Sequence, residues 1–306
     1  MKKSAYLSLI VLIFACESSI SQQSNIEKLK DFNAYWYAGE AEITSYELEQ
    51  VRYGEVHKGT SVLVFVTEPF SKSKQVKPDN WRSQSVDKVS VLKLNMTKKF
   101  LTGIYPYSMM MSTFTPVSYD QYPQTFKVTT SSQEWCGHTW MQLNLENESY
   151  RLKGFSYFES EGDVDESIKS TIVEDELWTR IRLNPSNLPT GEIRLLPSTF
   201  YLRLRHRENK AREAVAKLRL ISESKYAEQL HQLYEIAYDD RLLKIYFEET
   251  FPYTILGWEE TYMSGFGNPG KLTTKARKIN TIKSSYWNKN SNADRKIREE
   301  LGLSTN

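Results

Sequence analysis

From residue 35 to residue 285 the chain is written in short runs that alternate apolar and polar side chains. A period of two is the signature of a β-strand with one buried face, and it restricts the fold more than any other feature here. Tyr occurs 19 times and Phe 13 times, and aromatic side chains suit a pleated, half-buried surface. The runs fall at 35–46, 47–57, 61–68, 89–97, 108–117, 125–130, 133–143 and 150–158. They resume at 192–196, 199–207, 211–220, 231–237, 241–250, 253–262 and 272–285. Lys58-Gly59 and Asp239-Asp240 read as hairpin turns.

One stretch breaks the alternation. Five carboxylates lie between Glu159 and Glu166, and Ile168, Ile172, Leu177, Trp178 and Ile181 then follow at near-helical spacing. This predicts a helix over 166–182, started by acidic residues at its positive end and stopped at Asn184-Pro185. A second, short helix is predicted at 292–301. The fold class is therefore mainly β: an antiparallel curved sheet, two sheets or a half-barrel, with one central helix and a short C-terminal helix. The body spans 34–290, either as one sheet or as two β halves, 34–158 and 189–285, joined by helix 166–182. Residues 291–306 form a tail.

The N-terminus carries an address. Lys2 and Lys3 precede an apolar stretch over 5–15, the length of a signal-peptide core and too short to span a bilayer. Ile13-Phe14-Ala15-Cys16 looks like a lipobox, which implies a signal peptide over 1–15 and lipidation of Cys16. Residues 16–33 then form a polar tether and a short segment leading to the body. The expected location is the cell envelope, at the outer membrane, with the body on the periplasmic or the surface face. Once Lys2 and Lys3 are removed, 38 basic side chains face 38 acidic ones. A neutral body gives no reason to expect nucleic acid as a partner. Cys136 would be the only cysteine besides the lipid anchor, so an intramolecular disulfide is excluded.

Four clusters could carry chemistry. Glu134, Cys136 and His138 would share one face of a strand and supply the raw material of a nucleophile and its base. Residues at i and i+2 sit about 7 Å apart, too far for a thiol–imidazole hydrogen bond in a flat strand. The alternative is a buried thiol and a hydrogen-bonded imidazole. Arg203, Arg205 and Arg207 would form a basic stripe along a strand, suited to a lipid headgroup or another anion, or else a solvated outer face. The last 36 residues hold nine basic and three acidic side chains, which would suit an anionic leaflet or simply a solubilising tail. Tyr105-Pro106-Tyr107 with Met109-Met110-Met111 could line a pocket for acyl chains, or be plain core. No Walker loop, Gly-x-Ser-x-Gly elbow, His-Glu-x-x-His or dinucleotide fingerprint occurs, and nothing implies a cofactor or a metal.

Several strings together resemble a family of bacterial lipoproteins of unknown function, often labelled "septum formation inhibitor Maf". They are Tyr35-Trp36-Tyr37-Ala38-Gly39-Glu40, Val66-Thr67-Glu68-Pro69-Phe70, Thr102-Gly103-Ile104-Tyr105-Pro106-Tyr107, Gln133-Glu134-Trp135-Cys136-Gly137-His138, Leu188-Pro189-Thr190-Gly191-Glu192-Ile193 and Ile255-Leu256-Gly257-Trp258-Glu259-Glu260-Thr261. The label would imply a nucleoside triphosphate pyrophosphatase. The Ser-x-Ser-Pro-Arg-Arg string of true Maf enzymes is absent, so none of their catalytic residues carries over. The leading expectation is a non-enzymatic envelope lipoprotein. It would be held at the membrane through Cys16 and would bind a hydrophobic or amphipathic ligand or an envelope partner. An enzyme using Glu134, Cys136 and His138 is the alternative.

Overall fold

The computed structural model describes residues 29–80, 82 and 85–304. The predicted signal peptide, Cys16 and most of the predicted tether therefore lie outside the described residues. The chain divides into two compact units, 1–40 and 41–306. In the first, residues 29–36 form a helix, α1. The strand predicted from Tyr35 starts only at Ala41, after a turn in which Gly39 has φ +76°.

The second unit holds a single sheet of fifteen strands. Eight of them run as a meander: β1 (Ala41–Arg52), β2 (Glu55–Ser71), β3 (Lys88–Thr102), β4 (Tyr105–Pro116), β5 (Lys127–Glu134), β6 (Gly137–Glu146), β7 (Ser149–Phe155) and β8 (Val164–Lys169). The other seven are β9 (Ile172–Val173), β10 (Gly191–Leu196), β11 (Arg212–Ile221), β12 (His231–Tyr238), β13 (Arg241–Glu248), β14 (Ile255–Ser264) and β15 (Gly270–Ser284). The spatial order is β8 to β1, then β15 down to β9. All neighbours are antiparallel except β9 and β10. The sheet is curved and not closed.

Two separate β halves do not exist. β1 pairs with β15 from Ala41↔Ser284 to Glu49↔Lys275, so the first and last strands join both halves into one sheet. The sheet's two edges are also close in the chain, because only Ser170 and Thr171 separate β8 from β9.

The predicted helix 166–182 is much shorter. Glu166 and Ile168 belong to β8, where they pair with Leu152 and Tyr150 of β7. Helix α2 covers only Leu177–Leu183, after a 3-10 turn at Glu174–Glu176. A strand and a short helix in succession share out the apolar residues that mimic one helical stripe. The strand predicted at 199–207 is instead helix α3 (Thr199–Arg205). Its Phe200, Tyr201, Leu202 and Leu204 are all buried, and burial on most sides overrides a local period of two. The Asp175 carboxylate accepts hydrogen bonds from Thr199 N at 2.9 Å and Thr199 Oγ1 at 2.6 Å, which fixes the start of α3.

The helical parts of the segment from β9 to α3, namely the 3-10 turn at Glu174–Glu176, α2 and α3, pack against strands β3 and β4. Thr115 and Thr179 hydroxyls lie 2.6 Å apart, and the Trp178 and Trp258 rings meet edge to face with centroids 5.2 Å apart. Arg182 lies over Phe65 and forms a buried bidentate pair with Glu42. Arg241 donates to Glu174 and Glu260, again fully inside. Ion pairs of this kind offset the desolvation of carboxylates buried in an apolar interior, here Glu42 of β1, Glu174 of the 3-10 turn and Glu260 of β14.

The hairpin between β1 and β2 turns at Tyr53-Gly54, with φ +55° and +84°, as a two-residue primed turn requires. Lys58-Gly59, predicted as that turn, lies inside β2. Gly59 is there for another reason: a Cβ would sit 2.2 Å from the Lys99 carbonyl oxygen. The short C-terminal helix is present and exposed, and the residues after it turn back onto the sheet. After a 3-10 turn at Asn292–Arg295, α4 (Lys296–Glu300) leads into Leu301 and Leu303, which pack with Ala41, Ile43 and Val66.

Candidate functional site

A cavity of about 420 Å³ runs along the seam between strands β5–β8 and α3 with the loop that follows it. Val164 and Glu166 of β8 form one side, and residues 206–210 form the other. The wall is apolar where Met141, Leu152 and Leu202 line it, and Gly154 leaves room that any side chain would take. Volumes of this size hold small ligands.

The polar side of the cavity comes from the end of α3. Arg203 Nη1 donates to Glu161 Oε2 at 2.6 Å. The His206 ring contacts the other oxygen of Glu161 through Nδ1, and Arg203 Nη1 lies 3.3 Å from that same nitrogen. Phe158 covers the group, with the guanidinium 4.9 Å from its ring centroid. Burial pulls the Arg203 guanidinium down from its usual pKa, and the Glu161 carboxylate opposes that shift. His206 adopts φ +49° and ends α3, and Arg207 N bonds back to Leu202 O at 3.0 Å. This turn brings Arg207 to the cavity beside Lys210.

The three arginines predicted as one stripe are therefore split. Arg203 and Arg207 reach the cavity, whereas Arg205 lies over the Tyr262 ring at 5.1 Å. Arg203 and Arg205 diverge because residues two apart on a helix do not share a face, and the left-handed turn at His206 carries Arg207 back to the cavity. Glu161 and His206 complete the group and were not singled out from the sequence. Glu161 was visible only as one of a run of acids.

Glu134, Cys136 and His138 are not brought together. Trp135-Cys136 is the two-residue turn between β5 and β6, with Glu134 opposite Gly137 and Gln133 opposite His138. Glu134 and His138 thus project from opposite faces of the sheet. The Cys136 thiol is exposed rather than buried. Glu134 accepts from Cys136 N at 2.6 Å, and its carboxylate pushes the thiol pKa up, the reverse of what a nucleophile needs. Among the described residues, no group of three His, Cys, Asp or Glu side chains is arranged to hold a metal ion.

Antiparallel order places the turns after β1, β3, β5 and β14 at one end of the sheet. Their aromatic side chains touch. Tyr53 stacks on Phe266 with centroids 5.8 Å apart, Tyr105 on Trp135 at 6.4 Å, and the Tyr53 and Tyr107 hydroxyls lie 2.7 Å apart. Arg52 lies against Tyr53 and Tyr107 and donates to the Leu204 carbonyl. The Met-rich strand is mixed: Met109 and Met111 are buried core, and Met110 faces outward.

No protein-family model, curated protein or solved structure matches this chain.

Proposed function

We propose that the protein is a cell-envelope lipoprotein, tethered through Cys16, that binds an amphipathic ligand in the seam cavity without performing covalent chemistry on it. The observation that carries this reading is the pairing of an apolar wall at Met141, Leu152 and Leu202 with guanidinium groups at Arg203 and Arg207 in one cavity of about 420 Å³. An apolar tail would take the wall, and an anionic head would take the arginines, which bind carboxylate or phosphate through paired donors. The lipobox at Ile13-Phe14-Ala15-Cys16 and the resemblance to bacterial lipoproteins supply the address. No helix among the described residues is long and apolar enough to cross a membrane.

Native mass spectrometry of the purified full chain tests the reading. The expected result is a bound lipid or fatty acid that organic solvent removes. The reading falls if the protein emerges unliganded and takes up no added fatty acid.

A further inference from the structure

We infer that the seam cavity selects an amphiphile whose head carries both an anion and an ammonium group, with the anion at Arg207 and the ammonium at Glu166. The inference rests on the cavity being a ligand site, and it adds the chemistry of the head.

The formal charges that line the cavity are balanced: Arg203, Arg207 and Lys210 against Glu161, Glu166 and Glu208. Four of the six are already matched. Arg203 Nη1 lies 2.6 Å from Glu161 Oε2, with His206 against the other oxygen, and Lys210 Nζ lies 2.9 Å from Glu208 Oε2. Among the described residues, neither Glu166 nor Arg207 has an ion-pair partner.

The fold explains where these two charges stand. Glu166 of β8 is directly opposite Leu152 of β7, and such a pair shares one face of the sheet. Its carboxylate therefore rises beside the apolar wall at Leu152. Its neighbours Asp165 and Ser167 face the other side, where Asp165 accepts two hydrogen bonds from Arg151 at 2.8 Å. Arg207 comes from the other side of the cavity, delivered by the left-handed turn at His206 that ends α3. One free anion and one free cation thus line opposite sides of the same cavity.

Electrostatics then discriminates between heads. A bare carboxylate is attracted by Arg207 and repelled by Glu166, and a bare ammonium meets the reverse. A head with both charges satisfies both sides, and neither protein charge loses water without gaining a partner. The tail packs on Met141, Leu152 and Leu202. Two sources offer this chemistry. A phosphoethanolamine lipid brings a phosphate and an ammonium, and a fatty-acylated amino acid brings a carboxylate and an ammonium.

Competition against a fluorescent fatty-acid analogue, in the purified full chain, reads the head directly. Three competitors share one lauroyl chain: laurate, lauroyl lysophosphatidylethanolamine and Nε-lauroyl-lysine, each below its micelle concentration. At least one of the two zwitterions is expected to bind about fivefold tighter than laurate or better, and the tighter one identifies the source of the anion. Glu166→Gln should bring that zwitterion to within about twofold of laurate and leave laurate itself no weaker, whereas Arg207→Gln should weaken all three. Both side chains are exposed, and an unchanged near-UV circular dichroism spectrum would confirm that the fold is kept. Laurate binding as tightly as both zwitterions, or a preference that survives Glu166→Gln, would overturn the inference and leave the cavity standing as a ligand site. No saturable binding of the analogue and no binding of any competitor would overturn the ligand-site reading, and this inference with it.

Discussion

Arg203 Nη1 donates to Glu161 Oε2 at 2.6 Å, and this contact fastens the end of α3 to the loop that follows β7. The two residues are 42 positions apart, and the cavity exists because the contact holds its two walls in place. The same contact neutralises the cationic group best placed to hold an anion. Glu161→Gln is therefore expected to tighten binding of an anionic fatty-acid probe about threefold to tenfold, the equivalent of roughly 1 kcal/mol. Because the pair is partly exposed, its loss should lower stability by no more than about 1 kcal/mol. Fluorescence titration and denaturant unfolding check the two effects.

The Glu42–Arg182 pair should behave differently, because both side chains are fully buried. Arg182→Leu leaves the Glu42 carboxylate stranded between β1 and α2, and should cost about 3–5 kcal/mol. Glu42→Leu combined with Arg182→Met should recover most of that loss. Urea unfolding of the single and double variants decides between these outcomes, and additive losses would contradict the account.

Asp175 and Glu176 give stability a pH dependence. Burial raises the Asp175 carboxyl to about 6 and Glu176 to about 7, and both lie above their ordinary values. In that range the folded state holds more protons than the unfolded chain, so stability falls as pH rises from about 4 to 7. Asp175→Asn keeps an acceptor for Thr199 N and removes one titrating group. The fall in stability between pH 4 and pH 7 should shrink by on the order of 2 kcal/mol in that variant. Melting temperatures across the range measure it.

Cys136 should alkylate slowly for an exposed thiol, because Glu134 disfavours its thiolate. Glu134→Gln should speed iodoacetamide labelling severalfold at pH 7.5, and mass spectrometry of the modified chain follows the rate. An unchanged rate would remove Glu134 as the cause.

The strands were legible because alternation is a local property. β3, β5 and β7 alternate buried side chains with more exposed ones, and the sequence carries that pattern directly. The turn at Tyr53-Gly54 was missed because Lys58-Gly59 offers a more familiar glycine, whose role is a close approach to β3. α2 was legible as a helix but drawn too long, because Ile168 of β8 and Ile172 of β9 continue its apolar spacing, whereas α3 was misread: with most sides buried, Leu202-Arg203-Leu204-Arg205 alternates like a strand. Arg203 and Arg207 could thus be named from sequence while their partners could not. Glu161 and His206 meet Arg203 only once β7, β8 and the loop of 206–210 are placed around α3, and no local pattern encodes that meeting.

The central claim is that the seam cavity holds a ligand. Gly154 lies in its wall, and an added Cβ would come no nearer than 3.7 Å to a neighbour, so Gly154→Leu is the substitution chosen to fill the cavity, with an unchanged near-UV circular dichroism spectrum as the check that the sheet is kept. The most direct measurement is the affinity of Gly154→Leu for a fluorescent fatty-acid analogue beside that of the unaltered chain. The account predicts saturable binding to the unaltered chain and at least a tenfold loss in the filled one. Equal affinity, or no saturable binding to either, would contradict it.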